Sequence, residues 1–165
     1  MGIKVNYKII ENFLKEKDIL EIEKILFSDY FPWYHSNEIV EKDNQFYFFH
    51  NLMKDNNILS NYFYKITLPI LINFKDEIKY IHRIRINCFT NRGKQIAYGQ
   101  HTDHDFSHKI LLYYVNTNNG YTYLNNKYKI NSIRNNLAII NGDIPHEIIS
   151  QNDTNLRLTI NITYN

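Results

Sequence analysis

Cysteine is nearly missing from these 165 residues: Cys88 stands alone. No disulfide framework can therefore staple the fold, and a reducing compartment, the cytoplasm, is the expected location. Long apolar runs are missing too. The longest, such as Ile110 to Val115, fall far short of the roughly 20 residues that cross a bilayer as a helix, so no membrane partner is expected. Met1 to Asn12 carries charges and no uninterrupted apolar run of the signal-peptide kind. A large excess of charge of one sign is also lacking. The net charge of +2 gives no strong nucleic-acid signal and no case for an anionic membrane surface. Alanine occurs only at Ala97 and Ala138, while Asn, Ile, Lys and Tyr are heavily used. The favoured residues have AT-rich codons, which suggests an AT-rich genome, bacterial or viral; if viral, the location becomes the host's cytoplasm. The asparagines then reflect codon supply rather than a recognition surface. Repeats, linkers and low-complexity segments are absent.

What is present is a globular composition, 44% hydrophobic and 22% charged. Residues 1–165 are read as one domain, large enough to bury a single core. In the N-terminal half, Lys4 to Phe13 reads as a strand leading into a turn. A helix is expected after Asp18, whose side chain can cap it, with Leu20, Ile22, Ile25 and Leu26 on its apolar face. A second helix is expected over Asn57 to Leu68, with Ile58, Leu59, Tyr62, Phe63 and Ile66 inward and Pro69 kinking or ending it. Phe31 to Tyr34 and Phe46 to His50 read as irregular or strand segments.

From Ile81 onward the period changes to two. Ile84, Ile86 and Cys88 alternate with Arg83, Arg85 and Asn87. Ile110 to Val115 reads as a buried strand. Asn118-Asn119-Gly120 is a turn before a strand over Tyr121 to Leu124. Leu137 to Ile140 and Glu147 to Ser150 are further strands. The last strand is the clearest: Leu156, Leu158, Ile160, Ile162 and Tyr164 face one side, Arg157, Thr159, Asn161 and Thr163 the other. On a solvated sheet that polar face meets water; in a barrel or double sheet it lines a cavity. The fold class expected is α+β, mainly β, a double-stranded β-helix (jelly-roll) core with N-terminal supporting helices.

The chemistry-bearing pattern is His101-Thr102-Asp103, answered downstream by His146 and Arg157. A lone His-x-Asp means little, since roughly 0.4 such spacings arise by chance in this composition. Context raises its weight. The pair sits in a polar stretch before a buried strand, and His146 follows another strand through Asn141-Gly142-Asp143-Ile144-Pro145. Two neutral imidazoles and a carboxylate suit iron(II) and leave three positions open on one face. Two of those can chelate a 2-oxo acid and one can bind O2. Arg157 could hold an acidic cosubstrate.

A second metal reading competes. His104-Asp105-Phe106-Ser107-His108 has the spacing of a zinc-protease helix. That motif needs Glu where Asp105 stands, and a helix where Lys109 to Val115 favours a strand. His104 and His108 are instead read as exposed loop residues. His35, His50 and His82 are read as ordinary polar or partly buried histidines.

The stretch from Arg83 to Asn165 resembles the 2-oxoglutarate- and iron(II)-dependent oxygenases, most closely the prolyl-hydroxylase-like branch. The matching landmarks are Arg85-Ile86-Asn87-Cys88-Phe89, Tyr98-Gly99-Gln100-His101-Thr102-Asp103, Leu112-Tyr113-Tyr114-Val115-Asn116 with Gly120, Pro145-His146-Glu147, and Arg157-Leu158-Thr159. Ile10-Glu11-Asn12-Phe13-Leu14 with its helix matches the family's entry more loosely. The resemblance implies His101, Asp103 and His146 as catalytic iron ligands. It implies Arg157 as the partner of the distal 2-oxoglutarate carboxylate, which its planar fork suits. Thr159 could add a hydroxyl, and Tyr114 aligns with a family tyrosine that reaches the same carboxylate, or is a core aromatic. Tyr98 is expected to line the pocket, and Asn87 to form part of the cosubstrate or substrate wall.

Three departures stand out: Phe89 replaces a family tyrosine, one glycine near Gly120 replaces two, and Arg157 stands where collagen-type enzymes carry lysine. The implied activity is an Fe(II)-, 2-oxoglutarate- and O2-dependent dioxygenase hydroxylating a C–H bond, of a prolyl or other residue in a protein or peptide. The alternatives are a nucleobase or small-molecule oxygenase and a non-catalytic jelly-roll binding module. Oligomeric state is left open.

Overall fold

The computed structural model describes residues 7–40 and 45–165. In chain order the elements are β1 (Tyr7–Ile10), α1 (Glu16–Leu26), β2 (Tyr34–Ser36), β3 (Tyr47–Lys54), β4 (Asn57–Ile58), α2 (Phe63–Ile66) and α3 (Leu68–Asn73). Then come β5 (Ile81–Thr90), β6 (Lys109–Tyr114), β7 (Tyr121–Leu124), β8 (Tyr128–Asn131), β9 (Leu137–Asn141), β10 (His146–Ile149) and β11 (Leu156–Tyr164). The architecture is mainly β, as the period-two pattern implies.

Two antiparallel sheets carry the fold. The larger runs β1-β9-β6-β11-β5-β3-β2, with β4 paired to β3. The smaller runs β10-β7-β8. β11 is central, paired along its length with β5 and, from Thr159 to Tyr164, with β6. Its alternation is realised on two buried faces. Leu158, Ile160 and Ile162 are fully buried and pack with Ile22, Leu52, Ile66 and Ile70, so the helices cover that side of the large sheet. Burying side chains of this size stabilises by about 1.5–3 kcal/mol each. The polar face of β11 is buried as well, with Arg157, Thr159, Asn161 and Thr163 all under a tenth exposed. Of the two readings of that face, the structure takes the cavity. Between the sheets, Ile110, Leu112 and Tyr114 of β6 and Ala138 and Ile140 of β9 meet Leu124 of β7 and Ile130 of β8.

The N-terminal half departs from expectation in three places. α1 begins at Glu16, before Asp18, and no side chain caps it. Asp18 lies in its first turn, where a carboxylate still favours the helix dipole. Its buried face is Ile19, Ile22 and Leu26, while Leu20 is half exposed. The expected helix over Asn57 to Leu68 is broken up. Asn57 and Ile58 extend β3 as a hairpin, Ile58 and Leu59 are exposed, and only Phe63 and Ile66 of the named face are buried within a helix. The hairpin turn at Asp55 and Asn56 takes left-handed backbone at both residues, a conformation these types tolerate, and this starts β4 where periodicity suggests helix. Pro69 sits at the start of α3, where its missing N–H costs nothing, so it opens a helix instead of ending one. β8, which the sequence pattern does not mark, pairs with β7. Of the expected first strand, Lys4 to Asn6 lie outside the described residues.

One junction ties the halves together. The Asn135 side chain accepts from the Leu14 amide at 2.8 Å and donates to its carbonyl at 3.0 Å, and Tyr113 donates its hydroxyl to the same Oδ1 at 3.2 Å. Asn135 has φ +65°, and every described non-glycine residue with positive φ is Asn or Asp. Asn12, Asn56, Asn125, Asn126 and Asn135 thus supply left-handed backbone positions, whatever the codon origin of the asparagines.

Candidate functional site

The two histidines of the sequence pattern are neighbours through their backbones. His101 and His146 form an isolated antiparallel bridge, each amide donating to the other's carbonyl, at 2.9 and 2.8 Å. The segment before His101 thus runs alongside β10 and delivers His101, and Asp103 two residues on, to the end of the small sheet. The ring centroids stand 4.6 Å apart. One ligand atom from each of His101, Asp103 and His146 lies within 4.8 Å of the others.

The hydrogen bonds around the triad orient it. His101 Nδ1 lies 3.2 Å from the Gly99 carbonyl oxygen, and His146 Nδ1 3.3 Å from that of Ile144. A carbonyl only accepts, so each Nδ1 donates and the lone pair of Nε2 is left for a metal. Burial pushes the His146 imidazole below its ordinary pKa, against the pull of Asp103, which favours the neutral ligand form. Asp103 is held at both oxygens: Arg83 Nη2 donates to Oδ1 at 2.6 Å and Asn161 Nδ2 to Oδ2 at 3.2 Å. Burial alone would raise its pKa, but the positive charge of Arg83 and the contacts of His146 and Asn161 bring it well below the usual carboxylate range. The result is a buried, fixed carboxylate beside two imidazoles, the donor set that suits iron(II).

The triad opens into a cavity of about 320 Å³ between the two sheets. Arg157, on the polar face of β11, lies in the same wall and is 1% exposed. Its Nε donates to Ser132 Oγ at 2.9 Å and its Nη2 to Thr122 Oγ1 at 3.3 Å. The guanidinium carbon stands 5.5 Å from the Phe89 ring centre and 5.9 Å from that of Tyr114. Among the described residues no carboxylate is within ion-pair distance of it. Burial pushes its pKa down to about 10, so it is still charged at neutral pH. An unpaired buried charge costs several kcal/mol, which an incoming anion relieves.

Gly120 makes room for this arginine. A Cβ there would meet Arg157 Cδ at 2.7 Å and the Ile149 carbonyl oxygen at 2.9 Å. One glycine at this turn is thus required by close approach.

The remaining sequence-named residues divide. Thr159 and Asn87, partners in the β11–β5 register, both line the cavity. Tyr98 and Tyr114 are fully buried and are not on its wall. Tyr98 packs behind Phe89 with ring centres 5.0 Å apart, which corrects its expected place in the lining. Tyr114 donates its hydroxyl to Thr122 Oγ1 at 3.0 Å, so it reaches Arg157 through that threonine. His104 is partly buried, with its Nε2 3.0 Å from Thr163 Oγ1. His108 is 2% exposed, against its expected place in an exposed loop. Its ring packs under Gly142, where an added Cβ would overlap it. His50 is buried between the Pro32 carbonyl and the Ser60 hydroxyl, an ordinary core histidine.

Sequence reasoning missed Thr122, Ser132, Arg83 and Asn161 as parts of the site. Arg83 and Asn161 lie on polar faces that the alternation of β5 and β11 exposes to view. Ser132 follows the unassigned β8, so no local signal marks it.

No protein family matches this sequence, and no curated protein matches it either. Solved structures do. A 2OG-Fe(II) oxygenase-family oxidoreductase from Burkholderia pseudomallei matches with a TM-score of 0.70 at 11% identity, covering 96% of this chain and 84% of that one. A prolyl hydroxylase from Trichoplax adhaerens, in complex with a hypoxia inducible factor peptide, matches with a TM-score of 0.67 at 18% identity, covering 96% and 82%. A non-heme α-ketoglutarate-dependent epimerase of nogalamycin biosynthesis matches with a TM-score of 0.67 at 10% identity, covering 98% and 78%. At these identities the likeness is one of fold.

Proposed function

We propose that the chain, whose fold is that of the 2-oxoglutarate- and iron(II)-dependent oxygenases, prolyl hydroxylases among them, is such an oxygenase, hydroxylating a C–H bond of a residue, proline or another, in a protein or peptide. One observation carries the reading. A His-Asp-His cluster opens on the same cavity as a buried arginine that has no carboxylate partner among the described residues.

His101, Asp103 and His146 would hold iron(II) on one face, with Arg157 and Thr159 receiving the far carboxylate of 2-oxoglutarate. The bound iron and cosubstrate supply the activation of O2. The protein's own part is positioning. Ser132 and Thr122 hold the Arg157 fork, Tyr114 holds Thr122, and Arg83 and Asn161 aim the Asp103 carboxylate. Phe89, Leu112, Ile140 and Ile148 make the apolar wall that keeps water from the reacting centre. The peptide preference draws on the Trichoplax neighbour, which is in complex with a peptide; the epimerase neighbour shows that the same fold hosts other reactions.

The test is succinate release in the presence of iron(II), 2-oxoglutarate and O2, beside an anaerobic titration followed by visible absorbance. The expected result is metal- and cosubstrate-dependent succinate, lost in His101→Ala and Asp103→Ala. Arg157→Ala is expected to raise the 2-oxoglutarate requirement at least about tenfold, the loss of ~1.4 kcal/mol of binding. Unchanged cosubstrate affinity in Arg157→Ala sinks the cosubstrate assignment, and a chain that binds no metal is a binding module.

A further inference from the structure

Arg157 is not the only arginine in the cavity wall. Arg83 and Arg85, two positions apart on β5, line it too, and among the described lining residues Asp103 is the only carboxylate. Asp103 answers Arg83. Arg157 has its anion in the cosubstrate. Arg85 is left over. The Arg85 Nε donates to Asn51 Oδ1 at 2.8 Å, its Nη1 donates to Tyr47 Oη at 3.0 Å, and its face lies 4.7 Å from the Phe49 ring centre. These are neutral partners that fix the plane of the guanidinium without neutralising it. No ion pair joins Arg85 to any described residue.

Iron(II) and dianionic 2-oxoglutarate together are neutral, so loading them does not remove the excess of arginine over carboxylate among the described lining residues. The backbones of the two arginines also stand well apart. Arg157 pairs in register with Phe89 and Arg85 with Asn161, so the two are four strand positions apart, roughly 13 Å along the sheet. Arg85 stands instead beside Asn161, the residue that holds the metal-binding carboxylate. A second anion seated there lies on the metal side of the cavity, where a substrate must be.

We propose that the primary substrate carries a carboxylate and that Arg85 is its seat. This deepens the oxygenase reading and rests on it for the identity of the other occupants. A planar acid group suits a guanidinium whose plane is already set by three neighbours. The cavity volume, about 320 Å³ before the cosubstrate enters, favours an acidic side chain or a small acid over a nucleotide. Burial and the nearby charge of Arg83 lower the Arg85 pKa, so a bound anion relieves a real cost.

The experiment compares the wild type with Arg85→Gln and Arg85→Lys, each loaded with zinc(II) and 2-oxoglutarate to prevent turnover. The probes are the capped peptide Gly-Pro-Glu-Gly and its Gln counterpart, N-acetyl-L-glutamate and its diamide, and uridine 5′-monophosphate, with calorimetry as the readout. Expected is at least a tenfold preference for acid over amide in one of the pairs, lost in Arg85→Gln and partly kept in Arg85→Lys. The peptide and small-acid pairs separate the two sources of the carboxylate. Equal binding of acid and amide overturns the proposal, as does a preference that survives Arg85→Gln, a stronger response to the nucleotide, or binding of no probe. Should Arg85→Gln fail to fold, Arg85→Lys decides the matter: an acid preference that falls below the wild-type value supports the seat, since an ammonium keeps the charge but loses the planar fork, and a preference at the wild-type value overturns it. An Arg85-dependent acid preference without any succinate release in the wild type would sink the oxygenase reading and leave the seat standing.

Discussion

Single atoms decide the quality of this site. Gly120 is the sharpest case, because an added methyl has no direction in which to fit: one neighbour is Arg157 itself and another is backbone. Gly120→Ala is expected to displace the guanidinium and weaken 2-oxoglutarate binding about tenfold or more, with metal affinity unchanged; calorimetry of each ligand separately checks it. Cys88 makes a different prediction. It is 3% exposed on the helix side of β5, and burial pushes its thiol up to about 12. The unfolded thiol titrates near ~8.5. Between those values the folded state keeps a proton that the unfolded state has lost, so the group's contribution is fully present below about pH 8.5 and fades as pH rises towards 12. Urea denaturation at pH 7, 9 and 10.5 should show that fall, and Cys88→Val should flatten it. At neutral pH a thiol reagent should label Cys88 only at the rate of unfolding.

At the scale of elements, β11 serves the core and the site at once. Its even-numbered residues hold the helices to the large sheet, and Arg157, Thr159 and Asn161 on the opposite face furnish the cavity. Ile160→Ala should therefore cost about 2–5 kcal/mol by leaving a hole in the core, while Thr159→Val, on the opposite face, should change cosubstrate affinity with a smaller effect on stability. Denaturant midpoints and 2-oxoglutarate titrations on the same two variants separate the roles; equal loss of stability would contradict the division. This strand was readable from sequence because strict alternation of apolar and polar residues places unlike faces on opposite sides only in extended backbone. The Asn57 to Leu68 segment was not. Its apolar spacing fits a helix, but two left-handed residues at the preceding turn and a proline at a helix start redistribute the same residues into a hairpin and two short helices.

At the scale of the molecule, the triad joins the two sheets. His146 belongs to the small sheet, and Asp103 is clasped by Arg83 of β5 and Asn161 of β11 in the large one. A metal bound there ties the sheets at one end and should stabilise the native state by about 2.7 kcal/mol at one hundred times its dissociation constant. Zinc(II) or manganese(II) should raise the unfolding midpoint of the wild type and leave that of His101→Ala unmoved. A shift of equal size in both proteins would place the metal elsewhere.

Chain order, together with the family resemblance it carries, was enough to name His101, Asp103, His146 and Arg157 as candidates, because a candidate ligand set and a lone cation on an alternating strand are patterns of residue type and spacing. It also settled the mainly β character, since alternation is a local property of the backbone. The clasp of Arg83 and Asn161 on Asp103, the hydroxyls of Ser132 and Thr122 under Arg157, and the unanswered charge of Arg85 were decided only when the strands paired. Each of these contacts joins residues at least 20 positions apart, and register between strands, not sequence spacing, sets which side chains meet.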